Sequence, residues 1–146
     1  MSDGPETTGR APARRPDQMP EQSNFSALTG IEIISATVES VVCRMAVTDA
    51  LTNRNGALHG GAIMTLADNA AGTCAFVSIP PERSNTTIES KTNFLRGVAL
   101  GDTLTATCVP LHLGRTTMVF QITMTRGDGK TVAVSTQTHM IIDWDR

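Results

Sequence analysis

Between Thr52 and Ala62 the chain reads TNRNGALHGGA, and Asp68 follows eight residues after Gly60. Gly60 and Gly61 open a run with helical periodicity, where a helix has no internal partners for its first N–H groups and its dipole is positive. Paired glycines let a ligand approach that backbone closely. Such an end can hold an anion, or the negative oxygen that develops when a carbonyl is attacked. The same pair also serves as a plain loop-to-helix turn. Asp68, midway along the run, has small or apolar flanks and no basic residue within four positions. A carboxylate partly buried in such surroundings suits a general base or nucleophile, whereas one on a solvated face has no such role. Eight residues span about 12 Å along a helix axis, too far for an Asp side chain to bridge. If both groups act on one carbonyl, the carboxylate comes from a second copy, with two antiparallel helices forming two equivalent sites.

Other chemistries have little support. His59, His112 and His139 are far apart, with no H-x-x-x-H or C-x-x-C pattern, so no metal or other cofactor is expected. There is no G-x-S-x-G elbow and no Walker glycine loop. His59 reads as a brace for the loop through a backbone hydrogen bond, and Met118 and Met124 as one core-facing strand face.

The elements that must position these residues follow from periodicity. Ile63, Leu66, Ala67, Ala70, Cys74 and Val77 recur at spacings of three and four, predicting a helix from Gly60 to about Val77 that Ser78–Pro81 stops. Strand-like runs span 31–38, 41–47, 86–98, 103–113, 117–125 and 132–142, with a polar loop at 48–58. Gly114-Arg115-Thr116 and Arg126–Lys130 read as hairpin turns, and Pro110 marks an edge or a bulge. Phe25–Leu28 reads as a short helical turn packing one aromatic against the domain. The economical arrangement is α+β: a long central helix wrapped by a curved antiparallel β-sheet, the strands after the helix forming a meander.

Composition bounds the rest. Residues 1–24 hold four of the seven prolines and no Leu, Ile, Val or aromatic residue, the signature of a disordered N-terminal tail; residues 25–146 make one domain. A net charge of −2 without a Lys/Arg run gives nucleic acid or a membrane surface no electrostatic footing. No apolar run approaches a membrane span, and the N-terminus lacks a secretion signal. Three widely spaced cysteines fit reduced core thiols in a cytoplasmic protein, and the N-x-S/T triplets at Asn24 and Asn85 are then chance.

In this order, Asn53, Gly56, His59, Gly60, Gly61 and Asp68 form N-x-x-G-x-x-H-G-G with D nine residues after the histidine. This pattern resembles the hotdog-fold acyl-CoA thioesterases of the phenylacetate-degradation (PaaI-like) group. Thr87-Ile88-Glu89, Asn93–Gly97 and Gly101-Asp102 look like that family's following strand and turn, and the likeness covers residues 25–142. It implies a homodimer, often a homotetramer, with acyl-CoA as substrate. It further implies Gly60 as backbone oxyanion donor, Asp68 of the partner subunit as base or nucleophile, and Asn53 orienting water or thioester. Thr87, or in second place Thr86, falls at the family's hydroxyl position near the carboxylate. His59, Gly61 and Phe94 join the substrate-binding set, and Arg96 with Gly114, Arg115 and Thr116 become candidates for the nucleotide phosphates. Those arginines read equally well as solvated surface. Gly97 departs from the proline many members carry. Aryl or medium-chain acyl groups are the expected cargo. Two other readings use the same fold: a hydratase or dehydratase, which normally pairs a catalytic His with the carboxylate, and a non-hydrolytic acyl-CoA-binding module, which has no need for a base.

Overall fold

The computed structural model describes Gln18, Met19 and residues 21–144. The elements in chain order are α1 (Asn24–Thr29), β1 (Glu32–Ala36), β2 (Val41–Ala46), a 3-10 turn at Asp49–Leu51, α2 (Gly60–Ser78), β3 (Arg83–Phe94), β4 (Thr103–Leu113), β5 (Thr117–Thr125) and β6 (Thr131–Asp143). The six strands form one antiparallel sheet in the order β1-β2-β4-β5-β6-β3, and α2 lies against it, touching every strand. This is the hotdog fold.

The apolar stripe of α2 explains that packing. Ile63, Leu66, Ala67, Ala70, Cys74 and Val77 are all buried, and so are Ala71 and Ala75. Small side chains let the helix sit close to the sheet, where Met118, Phe120, Ile122 and Met124 of β5 and Leu104, Ala106 and Cys108 of β4 face it. These strands alternate buried and half-open positions, as a sheet with one covered face requires.

Three expectations need correction. The strands after α2 do not form a simple meander: β3 pairs with β6 and ends up at the far edge, while β4 takes its place beside β2. The sheet covers only one side of α2, so Asp68, expected to be partly buried, is exposed along with Met64. Phe25 is 58 % exposed; α1 instead buries Ser26 and Thr29, with Ser23 capping its first turn through a hydrogen bond from the Ser26 N–H. Most of the segment expected as a tail lies outside the described residues, but Met19 packs against the core and Gln22 donates to the Ile31 carbonyl. Pro110 sits at a bulge between β4 and β5, past the last residue of β4 that pairs with β2, where its missing N–H leaves no rung broken on that side.

Cys43, Cys74 and Cys108 are free and buried. Burial pushes the Cys43 thiol up to about 12; Cys108 donates a hydrogen bond to Cys74, which together with burial raises the Cys108 thiol, while the same bond lowers that of the buried Cys74. The native protein is therefore expected to resist a thiol-specific disulfide reagent at neutral pH and to release three equivalents once unfolded; rapid reaction of the native protein would contradict this packing.

Candidate active site

The loop before α2 is built to present that helix's N-terminus. Asn53 closes it as an Asx turn: its Oδ1 accepts from the N–H groups of Asn55 (2.9 Å) and Ala57 (3.2 Å). The His59 N–H donates to the Leu51 carbonyl and the Leu58 N–H to that of Val98, fixing where the helix begins. Asn53 Nδ2 has no hydrogen-bond partner among the described residues, so its remaining function is that of a donor.

His59 is the N-cap. Its Nδ1 accepts from the Gly61 N–H at 2.8 Å, which places the ring proton on Nε2. A Cβ on Gly61 would come within 3.0 Å of that Nδ1, so glycine is what the cap geometry allows. Because the cap engages Gly61, the Gly60 N–H has no partner among the described residues. A Cβ at Gly60 would stand 3.4 Å from the Phe94 ring, which therefore walls this donor from the β3 side.

Asp68 lies at the other end of the sheet's strands. The Thr87 hydroxyl donates to Asp68 Oδ1 at 3.2 Å, leaving the second carboxylate oxygen open. Behind Thr87, within 3.5 Å, is Nε2 of His139, a buried residue of β6. His139 Nε2 also faces Gln137 Oε1 at 2.9 Å, and Nδ1 faces the Asn85 amide at 2.9 Å. Gln137 Nε2 donates onward to Ser90. A neutral ring satisfies this set with its proton on Nε2, the Asn85 amide turned to offer its NH2 to Nδ1. Burial lowers the His139 pKa; the charge of Asp68 opposes this in part. The Phe120 ring meets His139 edge-on at 5.4 Å.

The candidate residues thus fall into two groups. Gly60 adjoins Phe94, which pairs with Ala133, and Arg96 Nη1 donates to the Thr131 carbonyl; Asn53, His59 and Gly61 belong to this end. Asp68 adjoins Thr87, which pairs with His139, and Thr116 accepts from the Ile141 N–H, bringing the Gly114-Arg115-Thr116 turn to the opposite end. Ala133 and His139 are six residues apart on one strand, roughly 20 Å. A single chain brings each group together and keeps the two apart. At Gly114 a Cβ would meet His112 Nε2 at 2.5 Å and the Thr117 carbonyl at 2.8 Å, so this turn needs glycine for its own shape. Sequence reasoning missed Asn85, Gln137 and His139. The only signal for Gln137 and His139 was a polar S-T-Q-T-H stretch inside a strand, and Asn85 stood in another strand with none.

A six-stranded antiparallel sheet packed on one long helix is the hotdog architecture, and comparison with known proteins gives its class as a thioester hydrolase. The sequence profile of the thioesterase superfamily matches residues 55–133, and the chain belongs to that superfamily. It is 37 % identical over 117 residues to the acyl-coenzyme A thioesterase PaaI of Escherichia coli, an alignment covering 80 % of this chain and 81 % of the relative. It is 34 % identical over 106 residues to the 1,4-dihydroxy-2-naphthoyl-CoA hydrolase of Listeria monocytogenes, covering 73 % and 85 %. The solved structure of E. coli PaaI superposes with a TM-score of 0.78 at 31 % identity over 82 % of this chain and 85 % of the other. A Haemophilus influenzae thioesterase superposes with a TM-score of 0.80 at 27 % identity, covering 85 % and 87 %. Among the described residues no group of His, Cys, Asp and Glu could hold a metal, and no helix is long and apolar enough to cross a membrane.

His139 carries a stability consequence. Its pKa is lowered in the folded state, so between the folded and unfolded values the unfolded chain binds more protons. Its contribution is therefore complete above the ordinary value of 6.5 and is lost as pH falls through the folded one. Denaturant midpoints measured from pH 7.5 to 5 should fall for the wild type and fall less steeply for His139→Gln. Identical slopes would remove His139 from the acid sensitivity.

Proposed function

We propose that the chain hydrolyses acyl-CoA thioesters in a two-fold dimer, each site combining Gly60 of one subunit with Asp68 of the partner subunit. The observation that carries this reading is the separation of an unpaired oxyanion donor and an exposed, Thr87-braced carboxylate to opposite ends of one chain. β3 supplies a means of joining them. It is a twelve-residue edge strand, largely exposed and without proline, whose outer side pairs with nothing among the described residues. Antiparallel pairing of β3 with its copy about Ser90 and Lys91 carries Phe94 of one subunit toward Thr87 of the other, and with them Gly60 toward Asp68. Such dimers could pair again into a tetramer.

In this arrangement the thioester oxygen points at the Gly60 N–H, with Asn53 Nδ2 as a second donor. Asp68 takes a proton from a water whose oxygen attacks the carbonyl carbon, or attacks it directly to give a mixed anhydride that water opens. The tetrahedral oxyanion is held at the helix start. The carbon–sulfur bond then breaks, and the proton ends on the leaving CoA sulfur. A donor of this kind contributes about 3 kcal/mol to the transition state. Thr87 holds one carboxylate oxygen so that the other faces the water, and His139 positions Thr87. Phe94 and His59 flank the thioester. Arg96 has guanidinium N–H groups beyond the one given to Thr131, and with Arg115 at the Gly114–Thr116 turn it would meet the nucleotide phosphates across the interface. The acyl group is aryl or medium-chain; the 1,4-dihydroxy-2-naphthoyl-CoA hydrolase among the relatives supports the aryl choice.

Gly60→Pro tests the helix start. Residue 60 is the first helical position, where proline is tolerated, and the extended backbone of His59 suits a following proline. The substitution removes the N–H and sets a ring beside Phe94, and kcat should fall by at least about 100- to 1000-fold. Asp68→Ala should fall at least as far. Mixing the two inactive variants under subunit exchange should restore about a quarter of wild-type activity, since half the dimers are mixed and each has one intact site. Exchange without recovery would falsify the shared site.

A further inference from the structure

β3 does not alternate regularly along its whole length. Thr87 pairs with His139 and Glu89 with Thr138, so Ile88 is the extra residue of a bulge. A bulge re-phases the strand that follows it. Thr87 and Ser90, three apart, therefore turn to the same side, where Thr87 meets His139 and Ser90 meets Gln137. The result is a continuous set of polar groups: Ser90, Gln137, His139, Thr87 and Asp68. Its two ends, Ser90 and Asp68, line one groove on the open face of α2, whose far wall Asn69 pins through Ser26 and Gln22. Its middle members, Gln137 and His139, are 1 % exposed and must orient each other.

The set has a direction. Gln137 Nε2 donates to Ser90 Oγ at 3.0 Å, so the Oε1 end faces the ring, 2.9 Å from His139 Nε2. An amide oxygen only accepts, which requires Nε2 to carry the hydrogen. Asn85 can follow suit, since the other end of its amide has no partner among the described residues and the amide turns without losing a bond. A protonated Nε2 gives the Thr87 hydroxyl nothing to donate to, although the two lie 3.5 Å apart. Thr87 has one hydroxyl hydrogen, and Asp68 Oδ1 at 3.2 Å is what remains to take it. A bare Nε2 would compete with the carboxylate for that hydrogen.

Resting on the hydrolytic reading above, we propose that Gln137 is a positioning residue: by holding the proton on His139 Nε2 it commits the Thr87 hydroxyl to Asp68 and keeps the second carboxylate oxygen free for water. Gln137 acts at two removes, through a tautomer and then through the direction of a hydroxyl.

The test begins with the NMR resonances of the two ring nitrogens in the wild-type protein at about pH 8, above the lowered pKa of this buried histidine. The chain has three histidines, and the signals lost in His139→Gln identify the right ring. Nε2 should be protonated and Nδ1 bare; the reverse overturns the proposal, whatever the variants do. In Gln137→Met, which keeps an unbranched side chain and removes the acceptor, the proton should move to Nδ1, with Asn85 Oδ1 accepting it. There kcat for an acyl-CoA ester should fall about ten- to a hundredfold, the scale of a small misplacement at a reacting centre, with KM changed less than about twofold. Gln137→Glu, which keeps an acceptor for the Nε2 proton, should recover most of that loss. Thr87→Val should cost at least as much as Gln137→Met, and the double variant no more than Thr87→Val alone. Losses that multiply, or that fall on KM alone, put Gln137 on another route and overturn the proposal. A wild type that turns over no ester sinks the hydrolytic reading, while the spectrum still decides the tautomer.

Discussion

One sheet covers one side of α2, and the chain's other properties follow from that asymmetry. The covered side is a stripe of alanines and larger aliphatics with almost no exposure. The open side carries Gly61, Met64, Asp68 and Gly72, residues that do little for the core of one chain. A helix in the middle of a small domain usually needs cover all round. Here part of that cover is the pinned segment through α1, and the rest is left for what approaches Asp68. Polar and small residues can accumulate on that side because the hydrophobic effect makes no demand there.

The division of hydrogen bonds at the start of α2 is equally consequential. The His59 imidazole has one acceptor nitrogen, and its geometry gives that nitrogen to Gly61 and leaves Gly60 unpaired. An unpaired donor at a helix terminus is tolerable while water reaches it, and becomes a preorganised electrostatic site when a carbonyl displaces that water. At Asp68 the opposite device operates: one oxygen is taken by Thr87, so the carboxylate is held while one of its lone-pair faces stays available. Each half-site thus keeps one polar atom in reserve by committing its neighbour.

Much of this was legible in the sequence where period and composition agreed. The helix appears in its alanine and aliphatic spacing, and β4 and β5 in strict alternation, because one face of each is apolar and the other is not. The candidate site residues stood out as a pattern of spacing around Gly60 and Asp68, and the structure divides them between two ends of the strands. The order of the strands was not, since nothing local to β3 tells an edge from a centre. β6 was legible as a strand but its faces were not: Ser135, Gln137 and His139 point inward and Thr136 and Thr138 outward, so hydrophobicity could not choose between them. Phe25 misled for a related reason. An aromatic beside polar residues is expected to bury itself, whereas here it lines a groove and Ser26 takes the buried position through its bond to Asn69.

The placement of β3 also sets a timetable. Its sheet partner among the described residues is β6, and Phe94 pairs with Ala133 while Arg83 pairs with Asp143. On a ribosome, residues 83–94 emerge well before residues 131–143, so the strand bordering Asp68 must wait unpaired until β6 follows. The long loop this closes slows the step relative to the β4–β5 hairpin, which needs only a three-residue turn. Thr87 meets His139, and the outer edge of β3 takes a fixed register, only when the last strand arrives. The surroundings of Thr87 and Asp68 are thereby tied to the arrival of β6, and a nascent chain cannot display a finished edge to its neighbours before then.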